Sequence, residues 1–258
     1  MPKVYLDPGH GGKDNGAAKY IVEDVVNLAM AQACRECLEA HGVTVKMSRE
    51  TDTYKELTDR IKECNAWGAD LAVSCHNNAA GGDGFEVFHT IGGGVGKTLA
   101  ENINAEVLKI GQNSRGVKTR KNSQGRDYYG FIRQTKAPAV ICEGVFVDTK
   151  ADAAQADEAH EQKAFGVAYA KGILKTLGIP YKEPASAGSG AAYEKWELLD
   201  NMNLRSKPSA SSMAVGWIPK GTVVMGKPTQ DGEWLYTSDG VKTGYIRICV
   251  NKVYCKKV

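Results

Sequence analysis

Apolar residues along the first two thirds of the chain alternate between short runs and longer helical stripes. Val4–Leu6, Val43–Met47, Asp70–Ser74, Gly84–Thr90 and Ala139–Val147 are runs of strand length, and the last holds a single charge, Glu143. Glu23–Ala40 and Val95–Ile110 carry apolar residues at helical spacing, the first ending at a His41-Gly42 stop. Ala153–Leu177 has the same spacing and predicts one long helix, stopped by Gly178 and Pro180. Thr53-Tyr54-Lys55-Glu56 has the form of a capping box and opens a further helix, with Leu57, Ile61 and Cys64 on one face. Strands alternating with helices predict an α/β fold: a mostly parallel twisted sheet flanked by helices.

The pattern then changes. Pro184–Ala192 is small, polar and unpatterned, the composition of a flexible linker. Beyond it, Leu204-Arg205-Ser206, Gly221–Val224, Trp234-Leu235-Tyr236 and Thr243–Ile246 are short strands split by turns, which predicts a small all-β barrel. The expected organisation is a first domain over 1–180, a linker over 181–192 and a small domain over 193–258.

Composition adds limits. The 258 residues are 42% hydrophobic and 24% charged, ordinary for a globular protein, and no apolar run is long enough for a bilayer, so membrane insertion is not expected. The chain enters a strand at Val4, so the expectation is synthesis in a cytoplasm without a signal peptide. From Ala191 onward there are 10 Lys/Arg against 6 Asp/Glu, a net +4, while the residues before it number 23 against 24. A basic tail suits an anionic polymer surface. Seven scattered cysteines argue for reduced thiols. Cys34 and Cys37 have a redox spacing, but Cys37 lies on the stripe Val26, Met30, Ala33 of a helix, so core packing is the expectation.

Chemistry gathers on four residues. Tyr5–Gly12 is an apolar strand that stops at Pro8-Gly9 and places His10 at the head of a glycine-rich loop. His76 follows a second apolar strand, so a parallel sheet brings both histidines to one edge. Glu23 sits where the first long helix starts, a position that also suits a carboxylate through the helix dipole. Two His and one carboxylate with an open fourth position form a catalytic zinc set, which activates water and polarises a carbonyl. Glu143 interrupts an apolar strand. A buried carboxylate needs either a structural partner or a task such as general base, and the residues alone leave both open.

Leu6-Asp7-Pro8-Gly9-His10-Gly11-Gly12, Glu23 with Asn27-Leu28, Ala69-Asp70-Leu71 with Ser74–Asn78, and Pro138–Glu143 together resemble the zinc-dependent N-acetylmuramoyl-L-alanine amidases of the amidase type 3 family, over about Lys3 to Leu177. Arg49, Arg60 and Asn65 also fall where that family has such residues. The resemblance implies a peptidoglycan hydrolase that cleaves the amide between N-acetylmuramic acid and the L-alanine of the stem peptide. It implies Zn²⁺ held by His10, Glu23 and His76, with Glu143 as the catalytic glutamate. One departure is that Glu143 is followed by Gly144-Val145-Phe146, where the family usually places glycine second and phenylalanine third. The tail resembles bacterial SH3-like wall-binding domains through Leu204–Pro208, Ile218–Gly221, Asp231–Trp234 and Gly244–Ile246. The implied partner is peptidoglycan, as substrate and as wall ligand. A wall hydrolase without a signal peptide is most like a phage endolysin, made in the host cytoplasm and acting on the wall after release. A sporulation autolysin and a non-catalytic wall-binding protein are the alternatives.

Other motifs weigh less. Gly92–Thr98 invites a phosphate-loop reading, but the position five residues before Gly96 is Ile91, so neither nucleotide nor nucleic-acid binding is expected. His41 and His160 have no comparable context, and His89 ends a strand. Arg115 to Arg126 is basic, with Arg115, Lys118, Arg120, Lys121 and Arg126, and has two readings: the lining of a groove for an anionic wall fragment or, the commoner case, a solvated loop.

Overall fold

The computed structural model describes residues 1–182, 194–206, 208–209, 212–229, 233–238, 243–248 and 253–258. The chain divides into two compact units, Met1–Lys182 and Glu183–Val258. The stretch expected to be a linker lies outside the described residues from 183 onward.

The first unit holds a six-stranded sheet. Its strands are β1 (Lys3–Pro8), β2 (Thr44–Met47), β3 (Leu71–Asn78), β4 (Phe85–His89), β5 (Ser114–Lys118) and β6 (Ala139–Phe146), in the order β2-β1-β3-β6-β4-β5. All pairs are parallel except β4 with β6, which run antiparallel. The mostly parallel α/β fold therefore holds, with β4 and β5 reversed as a pair. Edge strand β5 is a finding, since the basic run from Arg115 was expected to be loop. As an edge it has no fully buried position and so shows no apolar signature.

Alternate strand residues point to opposite faces. Val4, Leu6, Val73, Cys75, Val140 and Cys142 face the main core, which α1 (Glu23–Ala40), α3 (Gly94–Lys109) and α6 (Ala159–Thr176) close. Cys34 and Cys37 are buried there as free thiols, as packing predicts. Helix α6 packs closely on α1: a Cβ at Gly166 would lie 2.3 Å from the Met30 carbonyl. Tyr5, Ala72, Ala139, Ile141 and Phe88 form the second core, under α2 (Leu57–Trp67) and α4 (Gly130–Gln134).

Two helix expectations need correction. The helix expected from Ala153 starts only at Ala159, as α6, and Ala153 instead ends a separate short helix, α5 (Lys150–Ala153). The break arises because Asp152 is buried and accepts Gly84 N, Phe146 N and Gln112 Nε2, while Glu158 restarts the helix in a capping box with Glu161. The capping box expected at Thr53–Glu56 does not form. Helix α2 starts at Leu57 after Glu56 with no side-chain cap, and the segment before it instead backs the His10 loop through Asp52, which accepts Gly12 N at 2.5 Å.

The second unit is all-β and antiparallel. Strands β7 (Glu194–Leu198), β8 (Met202–Arg205), β9 (Ala214–Ile218), β10 (Val223–Pro228), β11 (Trp234–Ser238), β12 (Thr243–Arg247) and β13 (Cys255–Lys257) run in the order β13-β7-β10-β11-β12-β8-β9. Leu198, Leu204, Ile218, Leu235 and Ile246 form its core. Trp234 is buried under Arg247. Among the described residues, no helix is long and apolar enough to cross a membrane.

Candidate metal centre and active site

Strand β1 ends at Pro8, and the chain turns with His10 in the left-handed region at φ 61°. A non-glycine residue is rarely held there, and two buried arginines hold it. Arg60, from α2, donates to the Pro8 carbonyl at 2.7 Å and to the His10 carbonyl at 2.7 Å. Arg49 donates to Pro8 O at 3.0 Å and Gly9 O at 2.9 Å. Asp7 is buried beneath them and accepts Arg60 Nη1 at 2.8 Å, Ser48 Oγ at 2.6 Å and Ser74 Oγ at 2.8 Å. Burial pushes the Asp7 carboxyl up, but Arg60 and the hydroxyls outweigh it and hold it below the usual carboxylate range.

His10 Nε2 lies 3.2 Å from Glu23 Oε1, and His76 Nδ1 lies 3.0 Å from the same oxygen. The two imidazoles meet edge to face, with centroids 5.0 Å apart. One ligand atom from each of His10, Glu23 and His76 lies within 4.8 Å of the others. The sequence thus named the three residues that converge. Glu23 is 5% exposed, and its second oxygen accepts Ala17 N at 2.9 Å. His10 Nδ1, pointing away from the cluster, lies 2.9 Å from Asp14 Oδ2. A histidine whose other ring nitrogen rests on a carboxylate is the usual arrangement behind a metal ligand. The donor set, two imidazole nitrogens and one carboxylate oxygen, fits zinc.

Without a metal, Glu23 shares its charge with both rings. Its hydrogen bonds to His10 and His76 overcome burial and hold its carboxyl far below the usual range. The Glu23 hydrogen bond raises His10 to about 9. Burial opposes the same effect at His76, but the Glu23 bond prevails and its pKa is raised.

Glu143 lies on β6, in register with His76 on β3 and with Glu86 on β4. Cross-strand partners share a face, so its carboxylate stands beside the histidine. Burial pushes it up to about 7, with His76 opposing and Glu23 and Glu86 adding to the rise. The irregular strand end after it is well held despite its glycine order: Val145 N donates to Asn77 Oδ1 at 3.0 Å, and Asn77 Nδ2 to Asn27 Oδ1 at 2.8 Å. A cleft of about 310 Å³ opens over the cluster, lined by His10, His76, Tyr54, Leu57 and Tyr129.

Residues 4–175 match the N-acetylmuramoyl-L-alanine amidase family, and residues 200–247 match the bacterial SH3 domain family. The chain belongs to the N-acetylmuramoyl-L-alanine amidase family. It is 33% identical over 226 residues to the N-acetylmuramoyl-L-alanine amidase CwlM of Bacillus licheniformis, covering 86% of this chain and 83% of that protein. It is 35% identical over 194 residues to the endolysin of Bacillus phage SPP1, covering 71% and 69%. A sporulation-specific amidase of Bacillus subtilis matches at 33% identity, over 73% and 72%. Among solved structures, the catalytic domain of CwlV, an amidase from Bacillus (Paenibacillus) polymyxa, superposes with a TM-score of 0.63 at 27% identity, covering 70% of this chain and all of that one.

The remaining motifs resolve. Gly94 opens α3, and Lys97 pairs with Glu101 on a solvated first turn, so Gly92–Thr98 is a βα turn. His41 bonds Cys37 O at 2.7 Å, and His89 bonds Thr90 O at 2.7 Å; neither joins the cluster. The His160 side chain lies outside the described residues. Residue reasoning missed Asp14. A carboxylate four positions after His10 in a glycine-rich loop was the available signal. It also missed Glu86, whose signal was a second lone charge in an apolar strand.

Proposed function

We propose that this chain is a zinc-dependent peptidoglycan amidase that hydrolyses the bond between N-acetylmuramic acid and the L-alanine of the stem peptide. Family membership supports the bond, and the convergence of His10, Glu23 and His76 beside Glu143 supports the mechanism. His10, Glu23 and His76 would hold Zn²⁺, which supplies a Lewis acid for water and for the lactyl carbonyl. Asp14 fixes the ring orientation of His10. Glu143, kept basic near neutrality by its site, takes the proton of the attacking water. It returns a proton to the leaving alanine nitrogen as the carbon–nitrogen bond breaks, so the products are a lactyl carboxylate and a free amine. Residues 1–180 are the catalytic part, and 193–258 the wall-binding part, a reading supported by the bacterial SH3 match.

The test is a digest of purified peptidoglycan read by mass spectrometry. New L-alanine amino termini, lost with a chelator and restored by zinc, are the expected result; new ends elsewhere in the stem make the chain a peptidase instead. Glu143→Ala is expected to lower turnover by about 10²–10⁴-fold with zinc content unchanged. A folded, active variant removes the role given to Glu143. The biological setting we propose is host lysis as a phage endolysin, supported by the SPP1 likeness. The near-equal likeness to a sporulation-specific amidase supports mother-cell lysis as the second reading. Deleting the gene separates them, since loss of plaques and loss of spore release are different phenotypes.

A further inference from the structure

Next to Tyr129, which lines the cleft, a cation is stacked in place with no carboxylate partner among the described residues. Strand β5 and the turn after it carry Arg115, Lys118 and Arg120. The first two share one carboxylate: Glu86, buried on β4, accepts from Arg115 and from Lys118, the latter at 2.9 Å. Arg120 differs. Its guanidinium stacks 3.9 Å from the centroid of Tyr128, whose ring meets Tyr129 edge to face at 5.1 Å, and no carboxylate among the described residues pairs with it. Tyr129 lines the cleft, packs on Phe88 at 4.9 Å, and sits close enough to Glu143 and Glu86 to feel both charges.

The segment holding Arg120 is braced. Tyr128 N donates to Arg120 O at 2.8 Å, and Lys121 bridges Asp127. Asp127 accepts Thr90 Oγ1 at 2.8 Å and Ile91 N at 2.7 Å, which ties the turn to the end of β4. A guanidinium already stacked on an aromatic ring loses little freedom on meeting a carboxylate, and its fork matches one. Tyr54, which also lines the cleft, has Lys13 stacked on its ring, 4.2 Å from the centroid.

We propose that Arg120 is a specificity-determining residue that receives a carboxylate of the stem peptide, placing the peptide on the Tyr128–Tyr129 side of the cleft. The inference rests on the amidase reading, since the peptide leaves from the scissile nitrogen. Two carboxylates have this chemistry: the α-carboxylate of a γ-linked D-glutamate at position two, and the side-chain carboxylate of a diaminopimelate at position three. In many walls either is amidated or replaced, which removes the charge.

The experiment compares the full-length, zinc-loaded protein with Arg120→Met, Arg120→Lys and Lys13→Met. The substrates are soluble muropeptides carrying D-glutamate or D-isoglutamine at position two, each with diaminopimelate or lysine at position three. Wild type is expected to favour a carboxylated form by about tenfold in kcat/KM, the scale of one charge-assisted hydrogen bond. Arg120→Met is expected to abolish that preference through KM with kcat held, Arg120→Lys to keep part of it, and Lys13→Met to leave it intact. The position whose amidation matters identifies the carboxylate. Equal losses on charged and amidated substrates, a wild type without preference, or an effect at Lys13 instead of Arg120 overturns the proposal. Calorimetric titration of the free stem peptides against the same four proteins gives the same decision from binding. A wild type that binds a carboxylated peptide through Arg120 but cleaves nothing would refute the amidase reading and leave this one standing.

Discussion

A methyl group at position 9 would overlap the His76 ring: a Cβ built there lies 2.2–2.7 Å from its Cε1, Nε2 and Nδ1. Gly9 therefore belongs to the candidate metal site without donating anything. Gly9→Ala is expected to move His76 off its line to Glu23 and weaken zinc binding by at least about tenfold, the range for losing support behind a ligand. A zinc titration of the folded variant checks it, and unchanged affinity would show that the ring has room to swing. Glu143 poses a different residue-scale question, because its task depends on when it holds a proton. Burial raises its pKa to about 7 in the metal-free site, so its carboxyl is expected to titrate there in a carbon-13 experiment on the chelated protein. Zinc adds positive charge beside it, and an opposite charge favours the ionised form. The titration therefore moves to lower pH on metal loading, as does the acid limb of kcat/KM. A carboxyl titrating near 4.5 without metal would mean that water reaches it.

Loop and helix meet at the Asp7–Arg60 pair, which joins the end of β1 to α2. Both side chains are nearly inaccessible, at 2% and 5% exposure. Breaking such a pair from one side leaves a buried uncompensated charge, so Arg60→Met is expected to cost about 3–5 kcal/mol in urea unfolding. Adding Asp7→Asn should recover part of the loss, because the stranded charge is then gone. Purely additive losses would show the two residues acting apart. What could be read beforehand follows the same physics. His10, His76 and Glu143 stood out because each is a polar residue at or within an apolar strand, and Glu23 because it starts an amphipathic helix. The direction of β4 did not stand out, since apolar alternation is the same for a strand and its reverse. Strand β5 is an exposed edge and Asp14 lies in a loop already polar, so neither contrasts with its surroundings. The break before α6 was hidden because it depends on Asp152, a lone charge just before the apolar stripe, which is buried and accepts from the Gly84 and Phe146 backbone and from the Gln112 side chain.

The candidate metal cluster lies in the first unit, which has its own core, so it reports on the stability of that unit. Its pH dependence follows from the cluster's own charges. Without metal, the Glu23 hydrogen bond raises His10 to about 9, and His76 is raised as well. A group with a raised folded pKa contributes fully below its unfolded value and loses that contribution as pH climbs through the folded one. The His10–Glu23 contribution is thus complete below about 6.5 and gone above about 9. Glu23, with its pKa lowered, contributes above its unfolded value of 4.5 and loses that only in strong acid. Glu143, raised to about 7, contributes fully below its unfolded value of 4.5 and has lost that contribution above about 7. The chelated protein is therefore expected to be most stable near pH 4.5 and to soften steadily from there towards pH 9. Zinc has the opposite demand, because it binds neutral imidazole and must displace the very protons that stabilise the metal-free cluster. The gain in melting temperature on adding zinc should accordingly grow from pH 6 to pH 8, as the metal-free reference weakens and the competing protons leave. Paired thermal melts with chelator and with zinc at pH 6, 7 and 8 decide it. A zinc increment that stays flat would mean that His10 and His76 are already neutral at pH 6, and that Glu23 does not hold them as imidazolium.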